Sequence, residues 1–71
     1  MTRVRVQSYT NPARSGTIET EAHLDQWVME KAIAPLLDLP LERVRVQYDV
    51  LGDRGRVAFD GSVVAAWEVD R

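Results

Sequence analysis

The sequence predicts an α+β two-layer sandwich of β-α-β-β-β order, with one helix packed on a mixed sheet of about four strands. Three observations predict it. Residues 3–9 and 43–50 alternate polar and apolar side chains, the period of a strand with one buried face. Between them, apolar residues recur at helical spacing. Near the C-terminus, Asp60-Gly61 is a strong signal for a two-residue hairpin.

The first strand, Arg-Val-Arg-Val-Gln-Ser-Tyr at 3–9, points Val4 and Val6 inward and Arg3, Arg5 and Gln7 outward. Residues 10–17 read as a loop, since Asn11-Pro12 and Ser15-Gly16 are turn dipeptides. A helix is expected from Glu19 or Glu21 to about Ala34, with Thr17 or Thr20 as its N-cap. Leu24, Val28, Met29, Ala32, Ile33 and Leu36 form its apolar stripe, which must face the sheet. Pro35 lacks an amide and crowds the preceding turn, so the regular helix should end or kink there. Residues 36–40 then form a tight turn.

Residues 43–50 repeat the pentapeptide Arg-Val-Arg-Val-Gln of 3–7. One duplicated pentapeptide is too short for a repeat architecture, so it reads as two strands with the same role. A right-handed β-α-β crossover would make these two strands parallel. Placing them side by side would stack Arg3 and Arg5 near Arg43 and Arg45, which argues for a strand between them. Gly52-Asp53-Arg54-Gly55 is a turn, residues 56–59 a third strand and 62–69 a fourth.

The hairpin also predicts a register. In a two-residue hairpin, Phe59 pairs with Ser62, Val57 with Val64 and Gly55 with Ala66. With Val57 and Phe59 inward, Ala58, Val63, Ala65, Trp67 and Val69 would lie on the opposite face, beside Arg3, Arg5, Arg43, Arg45 and Arg56. The last strand would then be apolar on both sides, and such strands are normally covered on both. A second copy of the chain would supply the cover.

With 71 residues, the chain is expected to be a single domain, 1–71. It has no Cys, so neither a disulfide nor a thiolate metal site is expected. No apolar run approaches the roughly 20 residues of a membrane span, and Arg3 and Arg5 interrupt any signal-peptide core. A cytoplasmic location without membrane contact is the expectation. The net charge of −2 disfavours long-range attraction to polyanions. Its distribution is uneven: the predicted outer sheet face is rich in Arg, whereas the helix and its flanks carry Glu19, Glu21, Asp25, Glu30, Asp38 and Glu42.

Sites of chemistry are sparse. The string Glu19-x-Glu21-x-His23-x-Asp25 has the look of a metal-ligand set. On a helix, however, Glu21 and Asp25 share a face and His23 points away, so the acids serve the positive helix end instead. His23 is the only His, and no Ser lies in a nucleophile elbow. The loop at 11–17 offers Arg14, Ser15 and Thr17 to a phosphate, but it lacks the Lys and glycine spacing of a P-loop and reads as a connector. The G-x-x-G at 52–55 lies between strands, unlike the RNA-binding loop with that spacing, and reads as a turn. No catalytic set, metal site or cofactor is expected.

The outer sheet face remains. Arg3, Arg5, Arg43, Arg45, Arg56 and Trp67 are the candidate contacts to a partner or to nucleic acid. Val63, Ala65 and Val69 are candidate interface residues. Trp27, off the helix stripe beside Lys31, is either an interface anchor or is covered by the 36–41 segment. The first expectation is a small non-enzymatic protein-interaction module, homo-oligomeric, that binds a partner through its outer sheet face. The second is a nucleic-acid-binding accessory protein that uses the Arg face. The third is a ligand-binding or enzymatic oligomer with an intersubunit site.

Overall fold

A computed structural model describes residues 2–20 and 25–70. Five strands and one helix follow in the order β1 (Thr2–Ser8), β2 (Gly16–Thr20), α1 (Gln26–Leu37), β3 (Val44–Tyr48), β4 (Arg54–Phe59) and β5 (Ser62–Val69), with short 3₁₀ turns at Pro12–Arg14 and Leu41–Arg43. The sheet order is β2-β1-β5-β4-β3, and every neighbouring pair is antiparallel. The α+β class stands. The expectation of about four strands in a mixed sheet does not: the described residues form five, all antiparallel.

The strand that was not expected is β2. After β1, the 3₁₀ turn at Pro12–Arg14 reverses the chain. Two serines clamp that reversal, with the Ser8 amide donating to Ser15 Oγ at 2.9 Å and the Asn11 amide to Ser8 Oγ at 3.2 Å. Thr17, Ile18 and Thr20 then favour the extended chain, because β-branched side chains fit a pleated surface. Ile18 is the only aliphatic residue in β2, so the sequence shows no alternation there.

The added hairpin turns the chain around before the helix, so no parallel crossover forms. β1 and β3 run in opposite directions with β5 and β4 between them, which keeps the two Arg-Val-Arg-Val-Gln stretches apart. The helix starts at Gln26 rather than at 19–21. Asp25 is its N-cap, Oδ1 accepting the Trp27 amide at 3.0 Å. The expected cap Thr17 and the cap candidate Thr20 lie in β2. Glu21, His23 and Leu24 lie outside the described residues. The helix also continues through Pro35 to Leu37 and ends where Asp38 turns left-handed at φ 58°, its amide bonding the carbonyls of Ala34 and Pro35. Pro35 is exposed in the last turn, where a missing amide bond is left to solvent.

The helix crosses the inner face from one sheet edge to the other, touching β2 and β3. Met29, Ile33, Ala34 and Leu37 pack on Val4, Val6, Val44, Val46, Val57, Ala65 and Trp67. Among the described residues, no helix is long and apolar enough to cross a membrane.

The register of the last hairpin is the second correction. Phe59 pairs with Ser62 as expected, but Ala58 pairs with Val63 and Val57 with Ala65, leaving Val64 as an extra residue. This β-bulge shifts the rest of β5 by one residue. A one-residue shift exchanges the faces of every following side chain. Ala65, Trp67 and Val69 therefore turn to the inner face: Ala65 is 0% exposed, Trp67 is 2% exposed, and Val69 packs against the core. β5 is not apolar on both sides, and the cover that such a strand would demand is not called for.

Candidate functional site

The helix covers the inner face, so the open surface is the outer face. Its residues stand in rows set by the register. One row runs Thr17, Arg5, Glu68, Arg54 across β2, β1, β5 and β4. The next runs Gln7, Ala66, Arg56, Gln47 across β1, β5, β4 and β3. Ala66 is the small residue of the second row, and its methyl leaves a depression between longer neighbours. The resulting hollow measures about 690 Å³, with Arg5, Gln7, Tyr9, Arg54, Arg56 and Gln47 around it.

Ion pairs divide the arginines. Arg5 bonds Glu68 at 2.6 Å and lies 3.8 Å from Asp70. Arg3 faces Glu19 at 3.7 Å. Arg54 lies between Asp49 at 3.7 Å and Asp53 at 3.6 Å. Arg43 is held by Asp60 of the β4–β5 turn through two hydrogen bonds, one of them Nε to Oδ1 at 2.8 Å, and stacks over the Phe59 ring at 4.8 Å. Arg45 donates to the carbonyls of Val44 at 2.7 Å and Glu42 at 3.2 Å. Arg56 has no carboxylate partner among the described residues and stands beside the hollow.

Of the residues expected on this face, Arg3, Arg5, Arg45 and Arg56 lie there, and Val63 is exposed opposite Ala58. Arg43 sits at the sheet end with the hairpin turn. Trp67 is not on the face. It lies beneath it, donating Nε1–H to the Gln47 carbonyl at 3.0 Å and meeting the Tyr48 ring edge-on at 5.1 Å. Ala65 and Val69 are likewise inside. Trp27 is 56% exposed with Lys31 Nζ 5.5 Å from its ring centre, so the 36–41 segment does not cover it.

Sequence reasoning passed over Gln47 and Gln7 as contacts, although both occupy the outward fifth position of the duplicated pentapeptide. It also passed over Arg54 and Glu68, which stand opposite each other only in the register that the structure shows. Burial raises the Tyr48 phenol above its ordinary value, with the Asp25 and Glu30 carboxylates adding to the effect, so it stays protonated near neutrality. Glu19 and Asp25 of the acidic string are apart in the fold, one in β2 and the other at the helix N-cap. No family model, curated protein or solved structure matches this chain.

Proposed function

We propose that the protein is a non-enzymatic interaction module whose outer sheet face takes an acidic segment of a partner protein. One observation carries this: Arg56 borders an open hollow without a carboxylate partner among the described residues, while Arg3, Arg5, Arg43 and Arg54 each face one. A guanidinium presents a planar pair of donors that matches one carboxylate. Gln7 and Gln47 stand in the same row, and their amides can both donate to and accept from peptide groups. The chemistry suits one acidic side chain with its adjoining backbone. A nucleic-acid strand would draw on a series of uncommitted cations; of the outer-face arginines named above, only Arg45 and Arg56 lack a carboxylate, which favours the protein partner.

The test starts with immobilised wild-type protein and Arg56→Gln, exposed to extract of the native host. A protein held by the first and lost from the second is then purified and titrated against both. Its affinity should fall about tenfold or more for Arg56→Gln, the effect expected of a central charged contact, and recover partly with Arg56→Lys. Equal affinity for all three sinks the proposal. So does low-salt filter retention of single-stranded RNA or DNA that weakens steeply with salt, which would favour the nucleic-acid alternative.

A further inference from the structure

The two edges of the sheet are finished differently. Along β1, the Arg3 carbonyl accepts from Asp70 at 2.8 Å and the Tyr9 amide donates to Val64 at 2.8 Å. The odd-numbered residues of β1 thus direct their backbone groups toward β5. Glu19 and Thr17 stand opposite Arg3 and Arg5, so in an antiparallel ladder their own N–H and C=O groups point away from β1. Those groups make no hydrogen bond among the described residues. On the opposite edge, β3 is closed at Val44 and Val46. The Val44 amide bonds the Leu41 carbonyl, and the Val44 carbonyl accepts from Arg45. The Val46 amide donates to Glu30 Oε2 at 3.0 Å, and its carbonyl accepts from Gln26 Nε2 at 3.3 Å.

An open edge beside a closed one is a template for a single added strand. We propose that the strand is β2 of a second copy, paired antiparallel about a two-fold axis at Ile18, so that two chains form one ten-stranded sheet. The β2 sequence Gly-Thr-Ile-Glu-Thr is complementary to itself in this register. Thr17 of each copy faces Glu19 of the other, and the outward N–H and C=O groups of both residues are satisfied together. Glu19 meets a hydroxyl rather than another carboxylate. Centring the pair on Glu19 would oppose like charges, and centring it on Thr17 would leave the Glu19 groups opposite a residue beyond the strand. Ile18 is half-buried on the inner face and meets its copy in the closer, non-hydrogen-bonded type of pair. Because β3 is closed, assembly stops at two. This interface is separate from the outer-face hollow and does not depend on its function.

Sedimentation of the whole chain tests the proposal. Wild type should be a dimer at about 100 μM, a range in which a useful interface holds. Thr17→Glu opposes two carboxylates in each of the paired positions and should give monomers with an unchanged circular dichroism spectrum. Thr17→Pro should do the same, since its nitrogen faces away from β1, where an edge strand tolerates proline. Wild type that is monomeric throughout, or a dimer that both folded variants leave intact, overturns the proposal. If either variant misfolds, Ile18→Cys decides. The chain has no other Cys, and opposed residues of this pair type lie within disulfide reach. Air oxidation should give a covalent dimer, and its absence overturns the proposal.

Discussion

The Gln47 carbonyl and the Trp67 indole that donates to it occupy the space that a side chain at Gly55 would need. Gly55 pairs with Trp67 on one side and Tyr48 on the other. A Cβ built there would lie 1.8 Å from the Gln47 carbonyl oxygen and 2.9 Å from Trp67 Nε1. The constraint is steric, because the left-handed glycines are Gly52 and Gly61. Gly55→Ala must therefore move the backbone of β3, and the indole bonded to it. Urea denaturation should show a loss of at least about 3 kcal/mol, at the upper end of overpacking costs. Gly52→Ala meets open space at φ +74° and should cost only about 1 kcal/mol. Equal losses for the two would mean that the Gln47 carbonyl and the indole do not crowd Gly55.

The hairpin turn was legible in the sequence, and the bulge beside it was not. Asp60 and Gly61 take φ 52° and 83°, the two positive values that a tight hairpin asks of Asp-Gly. Val64, the extra residue, is as good a strand former as its neighbours and leaves no local mark. What selects the bulge is tertiary: without it, Trp67 would leave the core for the polar face. Fluorescence separates the two registers. In Trp27→Phe, the remaining Trp67 should emit at short wavelength and resist quenching by acrylamide. In Trp67→Phe, the remaining Trp27 should emit at long wavelength and quench readily. The reverse pattern would restore the unbulged register and with it an apolar outer face.

β2 was hidden for a related reason. A five-residue edge strand with one aliphatic side chain shows no period, and its acidic Glu19 fits a helix N-terminus equally well. The alternating strands at 3–9 and 43–50 carry enough valine to be read directly. So the outward identity of Arg3, Arg5, Arg45 and Arg56 could be reached from sequence. Which of them is left unpaired could not, because Glu68, Asp70 and Glu19 come alongside only once the strand order is known.

Tyr48 links the helix N-terminus to stability at high pH. Burial first, then the Asp25 and Glu30 carboxylates, raises its phenol above the ordinary value. The folded protein thus holds this proton more tightly than the unfolded chain. The stability it contributes is whole below the unfolded tyrosine value near 10 and is lost as pH rises through the higher folded value. Urea midpoints should therefore fall more steeply above about pH 10 in wild type than in Tyr48→Phe, which keeps the ring against Trp67 and cannot ionise. Parallel pH profiles would remove Tyr48 as the cause.

The final prediction concerns what closes β3. Glu30 is only 6% exposed, and its Oε2 accepts both the Val46 amide and Gln26 Nε2, at 3.0 and 3.1 Å. Glu30→Ala removes the acceptor and leaves the Val46 amide without its partner, while Gln26 Nε2 keeps only its bond to the Val46 carbonyl. The cost should be about 1–3 kcal/mol, the range for an unsatisfied buried polar group. Glu30→Gln keeps an acceptor oxygen and should lose less. The second consequence is association. With Gln26→Ala added, both Val46 groups are bare and β3 is opened at its centre, able to pair there with another chain. Light scattering of the folded double variant should then show species larger than wild type that grow with concentration, because a chain with two open edges does not close. Glu30→Gln should scatter as wild type does. If the double variant is folded and no larger than wild type, Glu30 and Gln26 contribute to stability alone, and some other feature keeps the β3 edge from pairing.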